Sequence, residues 1–332
     1  MPGLTHQSCG ELMLHRRSGI HGLHLSAISL SVGSCAADPT APTPLQALLH
    51  RAAALGITHF DVTPSTRNPE GTTFATALAL PALLSQRETL VFSARIGLGS
   101  QPCLPGFGSR KHLLSGLDSL LQHTGLDYLD LLYAHRYDAS TPLEETTAAL
   151  ASAVQQGKAL YIGLSGYAPS MVRAALRHFR ALDVPLVSCQ ASYSLLDRWI
   201  EDGLLDLLRR NGIGCIAAAP LAHGALTPSP LPPQEDAPPL PALSRIAADR
   251  GQNLAQLALG WVLRHPRITS ALITATRPHH LTEARTALEQ LTFTPAELTH
   301  LDALCPPPDQ PDPPAHSAHE PPLPSPDCTT AT

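Results

Sequence analysis

The sequence predicts a (β/α)8 barrel, because short apolar runs and amphipathic stretches alternate along most of its length. About every thirty to forty residues, an apolar or β-branched run is followed by a loop and then by a stretch of helical periodicity. Strands that alternate with helices pair in parallel through right-handed crossovers. Eight such units close into a barrel, whereas an open doubly wound sheet usually stops at about six strands. The predicted strands cover residues 27–32, 58–61, 91–96, 129–133, 159–164, 186–191, 214–219 and 270–274.

Helices are predicted between these strands, and two further elements flank the barrel. A Ser18-Gly19 turn signal between two short apolar segments is typical of a β-hairpin, which we expect to plug one end of the barrel. Thr294, Pro295 and Glu297 form a helix start, with a capping residue, a proline in the first turn and an early acid. The eight barrel helices are predicted at 45–55, 73–84, 110–122, 143–156, 170–179, 200–210, 253–264 and 279–287.

We predict three parts along the chain: a flexible N-terminus over residues 1–11, the barrel over 12–304 and a disordered tail over 305–332. The tail is rich in proline and cannot bury enough apolar surface to offset the conformational entropy lost on ordering. A second proline-rich segment, 228–241, follows the seventh strand. Loops after barrel strands face the active-site end. This segment is therefore predicted as either a lid or an unstructured connection, and the connection is the favoured interpretation.

Composition and charge exclude several classes of function. The net charge is −5, and no basic run is dense enough to bind a nucleic-acid backbone. No apolar stretch is long enough to span a bilayer and the N-terminus has no signal-peptide core, which predicts a cytoplasmic protein. The seven cysteines are widely spaced, as is typical of reduced thiols. The 17 histidines show no metal-binding spacing, so no metal site is predicted.

Charged and titratable side chains stand at the predicted ends of the second, third and fourth barrel strands. These are Asp61, Arg95 and His135. Active sites of such barrels form at the C-terminal ends of the strands, so the three residues can converge as an acid, a fixed cation and a general acid or base. The alternative is purely structural, with Asp61 and Arg95 as a buried ion pair and His135 as a hydrogen-bonded core histidine. Three such residues at corresponding strand ends favour a site.

Several segments, in their order along the chain, resemble the aldo-keto reductases. They are GITHFD at 56–61, LDLLYAH at 129–135 with PLEET at 142–146, GKALYIGLS at 157–165, QASYSLLDR at 190–198, PLAHGALT at 220–227 and AQLALGW at 255–261. The similarity covers about residues 12–304 and is greater to the potassium-channel β-subunit and bacterial branch than to the aldose reductase branch. The resemblance implies the barrel fold and hydride transfer from a nicotinamide cofactor to the carbonyl group of a small-molecule substrate.

The resemblance also implies a catalytic tetrad of Asp, Tyr, Lys and His, of which this sequence keeps half. Asp61 and His135 match their positions, whereas Thr66 stands where the tyrosine is due and Arg95 where the lysine is due. A threonine hydroxyl is a far weaker acid than a tyrosine beside a lysine, and an arginine does not deprotonate in proteins. General acid catalysis is worth about 10²–10⁴-fold, so we expect impaired reduction of ordinary aldehydes unless another group donates the proton. The candidate donors are His135, Tyr137 and Arg67.

The nicotinamide end of the implied cofactor groove retains part of the family's pattern. Ser165 and Gln190 match the positions that bind the carboxamide, and Leu221 belongs to the motif beside them. Gly166 stands where an asparagine is due. Alanine replaces three further expected contacts, an aromatic residue, a serine and an adenine-contacting asparagine, at positions 218, 219 and 284.

The adenine end of the groove is better preserved. Thr276, Arg277 and His280 lie at the start of a predicted helix, where Arg277 and His280 can bind a 2′-phosphate. Glu283 can contact the adenine. The alternative for Arg277 is a solvated surface charge. The resemblance therefore implies NADPH as the cofactor, with weaker contacts at its nicotinamide end.

Two functions from different classes remain open. The favoured one is an atypical NADP(H)-dependent oxidoreductase that acts on a small carbonyl or imine substrate, because half of the tetrad and much of the cofactor groove persist. The alternative is a catalytically impaired homologue with a regulatory, scaffolding or non-redox role such as dehydration or isomerisation, in which the proline-rich tail docks on a partner protein. A metal-dependent hydrolase is disfavoured, because only Asp61 and His135 are available as ligands at the strand ends.

Overall fold

The computed structural model of the chain describes residues 13–36, 44–64, 76, 79–97, 106–227 and 239–307. Two short antiparallel strands, β1 His15–Arg17 and β2 His24–Ser26, precede a closed barrel of eight parallel strands. Each barrel strand pairs with the next one along the chain, and the last pairs with the first. The barrel strands are β3 Ile28–Ser31, β4 His59–Asp61, β5 Val91–Ile96, β6 Leu129–His135, β7 Ala159–Ser165, β8 Leu186–Ser192, β9 Gly214–Ala218 and β10 Ile268–Ile273. The predicted (β/α)8 barrel is confirmed.

Helices of the described residues pack around the outside of the barrel. Helix α6, Pro169–Ala181, shows how the sequence places them, since its buried residues recur at helical spacing on one face, at 172, 175, 176 and 179. Burial of a large side chain such as Phe179 contributes about 1.5–3 kcal/mol. The helices are α1 Val32–Ala36, α2 Leu45–Ala54, α3 Pro81–Leu84, α4 Arg110–Thr124, α5 Leu143–Gln155, α6 Pro169–Ala181, α7 Leu204–Arg210, α8 Leu240–Asp249, α9 Leu254–Leu263, α10 Pro278–Thr286 and α11 Pro295–Leu304.

The N-terminal hairpin fills one end of the barrel, as predicted. The N–H of Ser18 donates to the carbonyl of Leu23 at 2.8 Å across its turn. Gly19 adopts a left-handed conformation there, and a Cβ atom at this position would lie 1.9 Å from the carbonyl oxygen of Gly212. Leu23 and Leu25 then pack inside the barrel with Leu131, Tyr133, Val187, Ile216 and Leu272. This apolar plug leaves the C-terminal ends of the strands as the place for a site.

The barrel interior also contains a set of buried polar side chains. Side chains alternate along a strand, so residues two apart share one face. On β4 this rule places His59 and Asp61 together, on the face opposite Phe60, which packs with Phe92. The fully or almost fully buried polar residues of the barrel strands include Ser29, His59, Asp61, Ser93, Ser188, Gln190 and Ser270.

Two predicted elements were wrong in part. The helix predicted over 200–210 is in fact two elements, a 3₁₀ turn at Trp199–Glu201 and the helix α7. Gly203 separates them, because its φ of 82° lies in the left-handed region. Helix α8 occupies the end of the segment predicted as a proline-rich connection over 228–241. Pro239 immediately precedes this helix and Pro241 stands in its first turn, where the backbone N–H has no helical partner to lose.

The helix start predicted at Thr294 is confirmed. The Thr294 side chain accepts from the N–H of Glu297, and the Glu297 side chain accepts from the N–H of Thr294, which caps α11. No helix among the described residues has the length and apolar character that a membrane crossing requires. Residues 1–12, part of the predicted helix over 73–84 (residues 73–75, 77 and 78), most of the 228–241 segment and the tail from residue 308 lie outside the described residues.

Candidate active site

The predicted site residues Asp61, Arg95, His135, Ser165 and Gln190 lie at or near the C-terminal ends of five consecutive strands, β4 to β8. The parallel register sets His135 opposite Ser165, and Ser165 opposite Gln190. On the neighbouring pair of strands, Arg95 lies opposite Tyr133, two residues before His135. The structure therefore brings all five to the same end of the barrel, opposite the hairpin.

Asp61 is fully buried and receives contacts from both β4 and β5. The backbone N–H of Thr63 donates to its Oδ1 at 3.3 Å, and the hydroxyl of Ser93 lies 3.0 Å from its Oδ2. The guanidinium of Arg95 lies 3.8 Å from Oδ1. A single contact of this length is weaker than the short bidentate pair that arginine forms with carboxylates elsewhere.

Contacts with Thr63 position Arg95, whose side chain is partly exposed at the C-terminal end of the barrel. Its N–H donates to Thr63 Oγ1 at 2.8 Å, and its Nε contacts the same oxygen at 3.4 Å. Its side chain is 21% exposed, whereas that of Asp61 is 0% exposed. Arg95 is thus the member of the pair that can meet a substrate.

Hydrogen bonds connect His135, Ser165 and Gln190 across three strands. The Ser165 hydroxyl donates to Gln190 Oε1 at 3.0 Å, and Nδ1 of His135 lies 3.0 Å from the same hydroxyl oxygen. A serine has one hydroxyl hydrogen, so Nδ1 of His135 must be the donor in the second bond. In the neutral ring, Nε2 is then unprotonated and accepts hydrogen bonds.

His135 is a neutral imidazole in a positive field. Burial lowers the pKa of His135 well below its ordinary value, and the charges of Arg95 and Arg136 lower it further. Arg136 itself has a φ of 65°, which non-glycine residues rarely adopt and which is often retained at functional sites. The strand ends of β5 and β6 therefore present two guanidinium groups and no protonated histidine.

Gln190 carries a buried donor without a protein partner in the described part of the chain. The residue is 1% exposed, and its Nε2 makes no hydrogen bond to any residue that the structure describes. A buried unsatisfied amide costs about 1–3 kcal/mol, and such a group in a folded protein requires an explanation. A carbonyl oxygen of a bound molecule would satisfy it.

The second group of predicted cofactor residues surrounds the start of α10. Arg277 is exposed and stands immediately before the first turn. The N–H of Thr276 donates to Nδ1 of His280 at 3.4 Å, so the proton of the neutral His280 ring is on Nε2. Burial lowers the pKa of His280, followed by the effect of His279. Arg277, His280 and the N-terminal end of α10 thus combine a cation, a ring N–H and the positive end of a helix dipole, which suits an anion, and Glu283 lies one turn further into the helix.

The segment after β9 contains three non-glycine residues in the left-handed region. They are Ala219 with φ 47°, Ala222 with φ 47° and His223 with φ 55°. Such residues cost on the order of 1–3 kcal/mol each and tend to lie at ligand-binding segments. Leu221, between them, is partly buried against the core. Packing elsewhere in the barrel therefore holds this loop in a strained conformation beside β8, the strand that contains Gln190.

Two predicted residues of the catalytic group, Thr66 and Arg67, lie outside the described residues. Tyr137, a candidate proton donor, is 40% exposed, and its ring meets that of Tyr167 edge-on with centroids 6.1 Å apart. In the described ranges, no group of three or more His, Cys, Asp or Glu side chains can hold a metal ion. The described cysteines, Cys35, Cys189, Cys215 and Cys305, are free thiols.

The sequence interpretation missed a polar partner of Asp61, the buried His59. Its Nε2 lies 2.9 Å from the Ser93 hydroxyl, which in turn contacts Asp61. The signal was present, because His59 is two residues before Asp61 and Ser93 is two residues before Arg95, so each pair shares a face. The sequence does not reveal the distance between the two strands, and so it does not reveal the contact between His59 and Ser93.

Comparisons with known proteins identify the family. Residues 29–305 match the aldo/keto reductase family. The chain is 39% identical over 317 residues to the L-glyceraldehyde 3-phosphate reductase of Escherichia coli K12, a match that covers 87% of this chain and 92% of that protein. It is 27% identical over 318 residues to a probable voltage-gated potassium channel subunit beta of Oryza sativa subsp. japonica, which covers 88% and 96% of the two chains.

Solved structures agree with the sequence relatives. A thermostable aldo-keto reductase, crystallised with the inhibitor epalrestat, matches with a TM-score of 0.73 and 28% identity over 88% of this chain and all (100%) of that chain. The aldo-keto reductase AKR11C1 from Bacillus halodurans shares the fold, with a TM-score of 0.75 and 23% identity over 90% and 99% of the two chains. The protein therefore belongs to the aldo/keto reductase family and is an aldo-keto reductase-like oxidoreductase.

Proposed function

We propose that this protein uses NADPH to reduce the carbonyl group of a small substrate, with Thr66 and Arg95 in place of the family's catalytic tyrosine and lysine. The observation that carries the proposal is the hydrogen-bonded chain from His135 through Ser165 to Gln190, which ends in a buried amide N–H with no partner among the described residues. The Escherichia coli relative is named for L-glyceraldehyde 3-phosphate. A small phosphorylated aldehyde is therefore the first substrate to test.

The described residues fit a nicotinamide cofactor at both ends of the groove. Gln190 Nε2 offers a buried donor that suits the carbonyl oxygen of the nicotinamide carboxamide. At the other end, Arg277 and His280 at the start of α10 offer a cation and a ring N–H to a 2′-phosphate, the group that distinguishes NADPH from NADH. When bound, the cofactor supplies the hydride that the substrate carbon accepts.

Arg95 is the residue that stabilises negative charge in this proposal. As the carbonyl carbon is reduced, its oxygen becomes negative, and a fixed cation aimed at that oxygen lowers the barrier. Arg95 does not deprotonate, so it supplies charge and no proton. A second candidate substrate, a protonated imine, needs no proton, but the two guanidinium groups around His135 repel a cation. The geometry therefore favours a carbonyl over an imine.

His135 orients the substrate in this proposal and is disfavoured as the proton donor. Its Nδ1 proton is used by Ser165, and its Nε2 is unprotonated. Nε2 can therefore accept a hydrogen bond from a substrate hydroxyl group, such as the one adjacent to the carbonyl of glyceraldehyde 3-phosphate. With Thr66 as a weak acid, we expect slow turnover relative to family members that keep the tyrosine.

NADPH binding and NADPH oxidation test the proposal separately. Fluorescence titration should show binding of NADPH in preference to NADH, and Arg277→Ser should reduce that preference. Absorbance at the reduced-nicotinamide band should then fall with L-glyceraldehyde 3-phosphate and fall more slowly with unphosphorylated glyceraldehyde. Binding without turnover of any aldehyde would favour the alternative of a catalytically impaired homologue. Absence of NADPH binding would overturn the proposal.

A further inference from the structure

The guanidinium of Arg95 contacts the described part of the protein through only two of its three nitrogen atoms. Nε lies 3.4 Å from Thr63 Oγ1, and Nη2 lies 3.8 Å from Oδ1 of Asp61. A planar guanidinium carries five N–H donors in a fixed fork. Among the described residues only the Nε donor has a hydrogen-bond acceptor, because 3.8 Å is too long for a hydrogen bond. The N–H groups on Nη1 and Nη2 are therefore available to a ligand.

The backbone of Thr63 is held in place, so its hydroxyl oxygen is a fixed point. The N–H of Thr63 donates to Oδ1 of Asp61 at 3.3 Å. Its carbonyl oxygen packs so closely against α1 that a Cβ atom on Gly33 would lie 1.8 Å away. Thr63 Oγ1 also accepts the backbone N–H of Arg95 at 2.8 Å, which joins the end of β4 to β5. The contact between this oxygen and Nε therefore restricts the rotation of the Arg95 side chain.

The exposed member of the pair formed by Arg95 and Asp61 is the arginine. The side chain of Asp61 is 0% exposed, whereas that of Arg95 is 21% exposed. A molecule that enters the site thus meets the guanidinium rather than the carboxylate. Arg95 and Arg136 both act as positive charges on His135. The local field therefore favours a ligand that presents electron-rich oxygen atoms.

A lysine at position 95 has no equivalent of the contact with Thr63. The lysine side chain carries no donor between Cα and its terminal ammonium, so Thr63 Oγ1 would have no partner along it. An ammonium is also a point charge, whereas the end of a guanidinium presents two parallel N–H groups that match two oxygens of one ligand. The contact with Thr63 thus suits an arginine and not a lysine.

We propose that Thr63 and Arg95 form a receptor for a pair of adjacent oxygen atoms, in which Thr63 fixes Nε while Nη1 and Nη2 each donate to one oxygen. Thr63 is a positioning residue, because it acts on the ligand through Arg95. The ligands of this receptor share one chemical feature, two acceptor oxygens on the same carbon atom or on neighbouring carbon atoms.

The consequence for the substrate rests on the proposed function. There, one oxygen of the pair belongs to the reacting carbonyl group, and the other belongs to a hydroxyl group on the adjacent carbon. That hydroxyl group donates to Nε2 of His135 and accepts from Arg95, so its donor and its acceptor are both used. The receptor therefore selects 2-hydroxy aldehydes over aldehydes without that hydroxyl group.

Acetate, whose two oxygens form a simple pair of this kind, tests the receptor without cofactor or turnover. Arg277→Ser is present in every protein of this titration, because it removes the cation at α10 that could also bind acetate. Thr63→Val should weaken acetate binding about two- to tenfold, since an arginine without the tether loses more conformational freedom on binding. Thr63→Ser keeps the hydroxyl group and should restore the affinity to within about twofold.

A double-mutant cycle separates the contact with Nε from the other effects of Thr63. Arg95→Lys should itself weaken acetate binding, and Thr63→Val should then change the affinity by less than about twofold. The acceptor for the backbone N–H of residue 95 is lost in both backgrounds, so its contribution cancels. An equal loss from Thr63→Val in the arginine and lysine backgrounds, or no loss in either, would overturn the proposal.

Thr269→Val is the matched control. Thr269 is 4% exposed near the start of β10, and its hydroxyl accepts the N–H of Cys215 on the neighbouring strand at 3.2 Å. The variant removes the same kind of acceptor at the hairpin end of the barrel, so acetate affinity should not change. A loss as large as that in Thr63→Val would attribute the effect to general loosening of the barrel, and the proposal would fail.

Turnover with otherwise natural protein tests the substrate class separately. Glyceraldehyde and 3-hydroxypropanal differ only in the 2-hydroxyl group, and kcat/KM should favour glyceraldehyde by about tenfold or more. Thr63→Val should reduce this preference, and Thr63→Ser should retain it. Equal kcat/KM for the two aldehydes would overturn the inferred substrate class. Absence of turnover with both, beside the expected acetate results, would refute the proposed function and support the receptor.

Discussion

Replacement of Gln190 by leucine should leave the stability of the unliganded protein nearly unchanged and weaken the binding of NADPH. If the glutamine instead stabilised the barrel, its replacement would lower the free energy of unfolding and leave NADPH binding unchanged. The distinction depends on the Nε2 group, which is buried and makes no hydrogen bond with the described residues. Within the described part of the chain, the side chain makes one hydrogen bond, which its Oε1 accepts from Ser165 at 3.0 Å.

Two opposing contributions of similar size determine the expected change in the free energy of unfolding. Gln190→Leu leaves the Ser165 hydroxyl without its acceptor, which costs about 1–3 kcal/mol, and removes an unsatisfied buried amide, which returns about 1–3 kcal/mol. The free energy of unfolding should therefore change by less than about 1 kcal/mol. The loss of one neutral hydrogen bond of about 0.5–1.5 kcal/mol should raise the Kd for NADPH about two- to tenfold.

Urea denaturation with and without NADPH measures both quantities. Ser188→Ala serves as the control, because it removes the partner of the buried Tyr133 hydroxyl and so should cost about 1–3 kcal/mol without a change in Kd. The reasoning would be refuted if Gln190→Leu destabilised the unliganded protein as much as Ser188→Ala while NADPH bound with unchanged affinity. In that case Gln190 is a structural residue.

Three further variants test the catalytic group, the acid stability and the packing of the barrel. Thr66→Tyr with Arg95→Lys should raise kcat/KM for simple aldehydes by about 10²–10⁴-fold if only the acid is missing, and no gain would place the defect in cofactor binding. Hydrogen bonds from Ser140 and its neighbours outweigh burial and lower the pKa of Asp138 from 3.8 to about 2, so its ionised form stabilises the fold fully above about pH 4. This contribution, about 2 kcal/mol, should be lost as the pH falls towards 2, and urea midpoints of Asp138→Asn should lack that part of the acid dependence. Gly163→Ala should cost more than about 2 kcal/mol in urea denaturation, because the new Cβ would lie 2.3 Å from the Tyr133 ring and 2.8 Å from a backbone oxygen, and an unchanged midpoint would contradict this packing.

The strands of this barrel could be predicted from the sequence because each is a short apolar run between turn-forming residues. Every observed strand begins and ends within two residues of its predicted bounds. Helix boundaries were less predictable where single residues decide them. The φ of 82° at Gly203 ends one helical segment and begins another, and the glycine alone does not reveal whether the chain uses that freedom. Helix α8 was overlooked because prolines stand immediately before it and in its first turn, where they are tolerated.

The candidate site was predictable in part from the strand ends and in part from the resemblance. Asp61, Arg95 and His135 are titratable or charged residues at predicted strand ends, the resemblance added Ser165 and Gln190, and the structure brings all five to one end of the barrel. The proton positions could not be predicted, because they depend on distances between strands. Whether Nε2 of a histidine donates or accepts follows from which hydroxyl lies near the other nitrogen, and that neighbour comes from a strand about thirty residues away in the chain.

The two departures from the family tetrad have a common physical consequence. A lysine beside a tyrosine lowers the pKa of the phenol, and the pair together can give up a proton. Thr66 has no comparable acidity, so a neighbouring cation cannot make it an effective proton donor. A lysine at position 95 would therefore give no advantage over an arginine in proton transfer. Arginine keeps its charge in every state. In the proposed function, the site therefore retains the electrostatic half of the tetrad's work, the stabilisation of a negative oxygen, and takes the proton from the solvent.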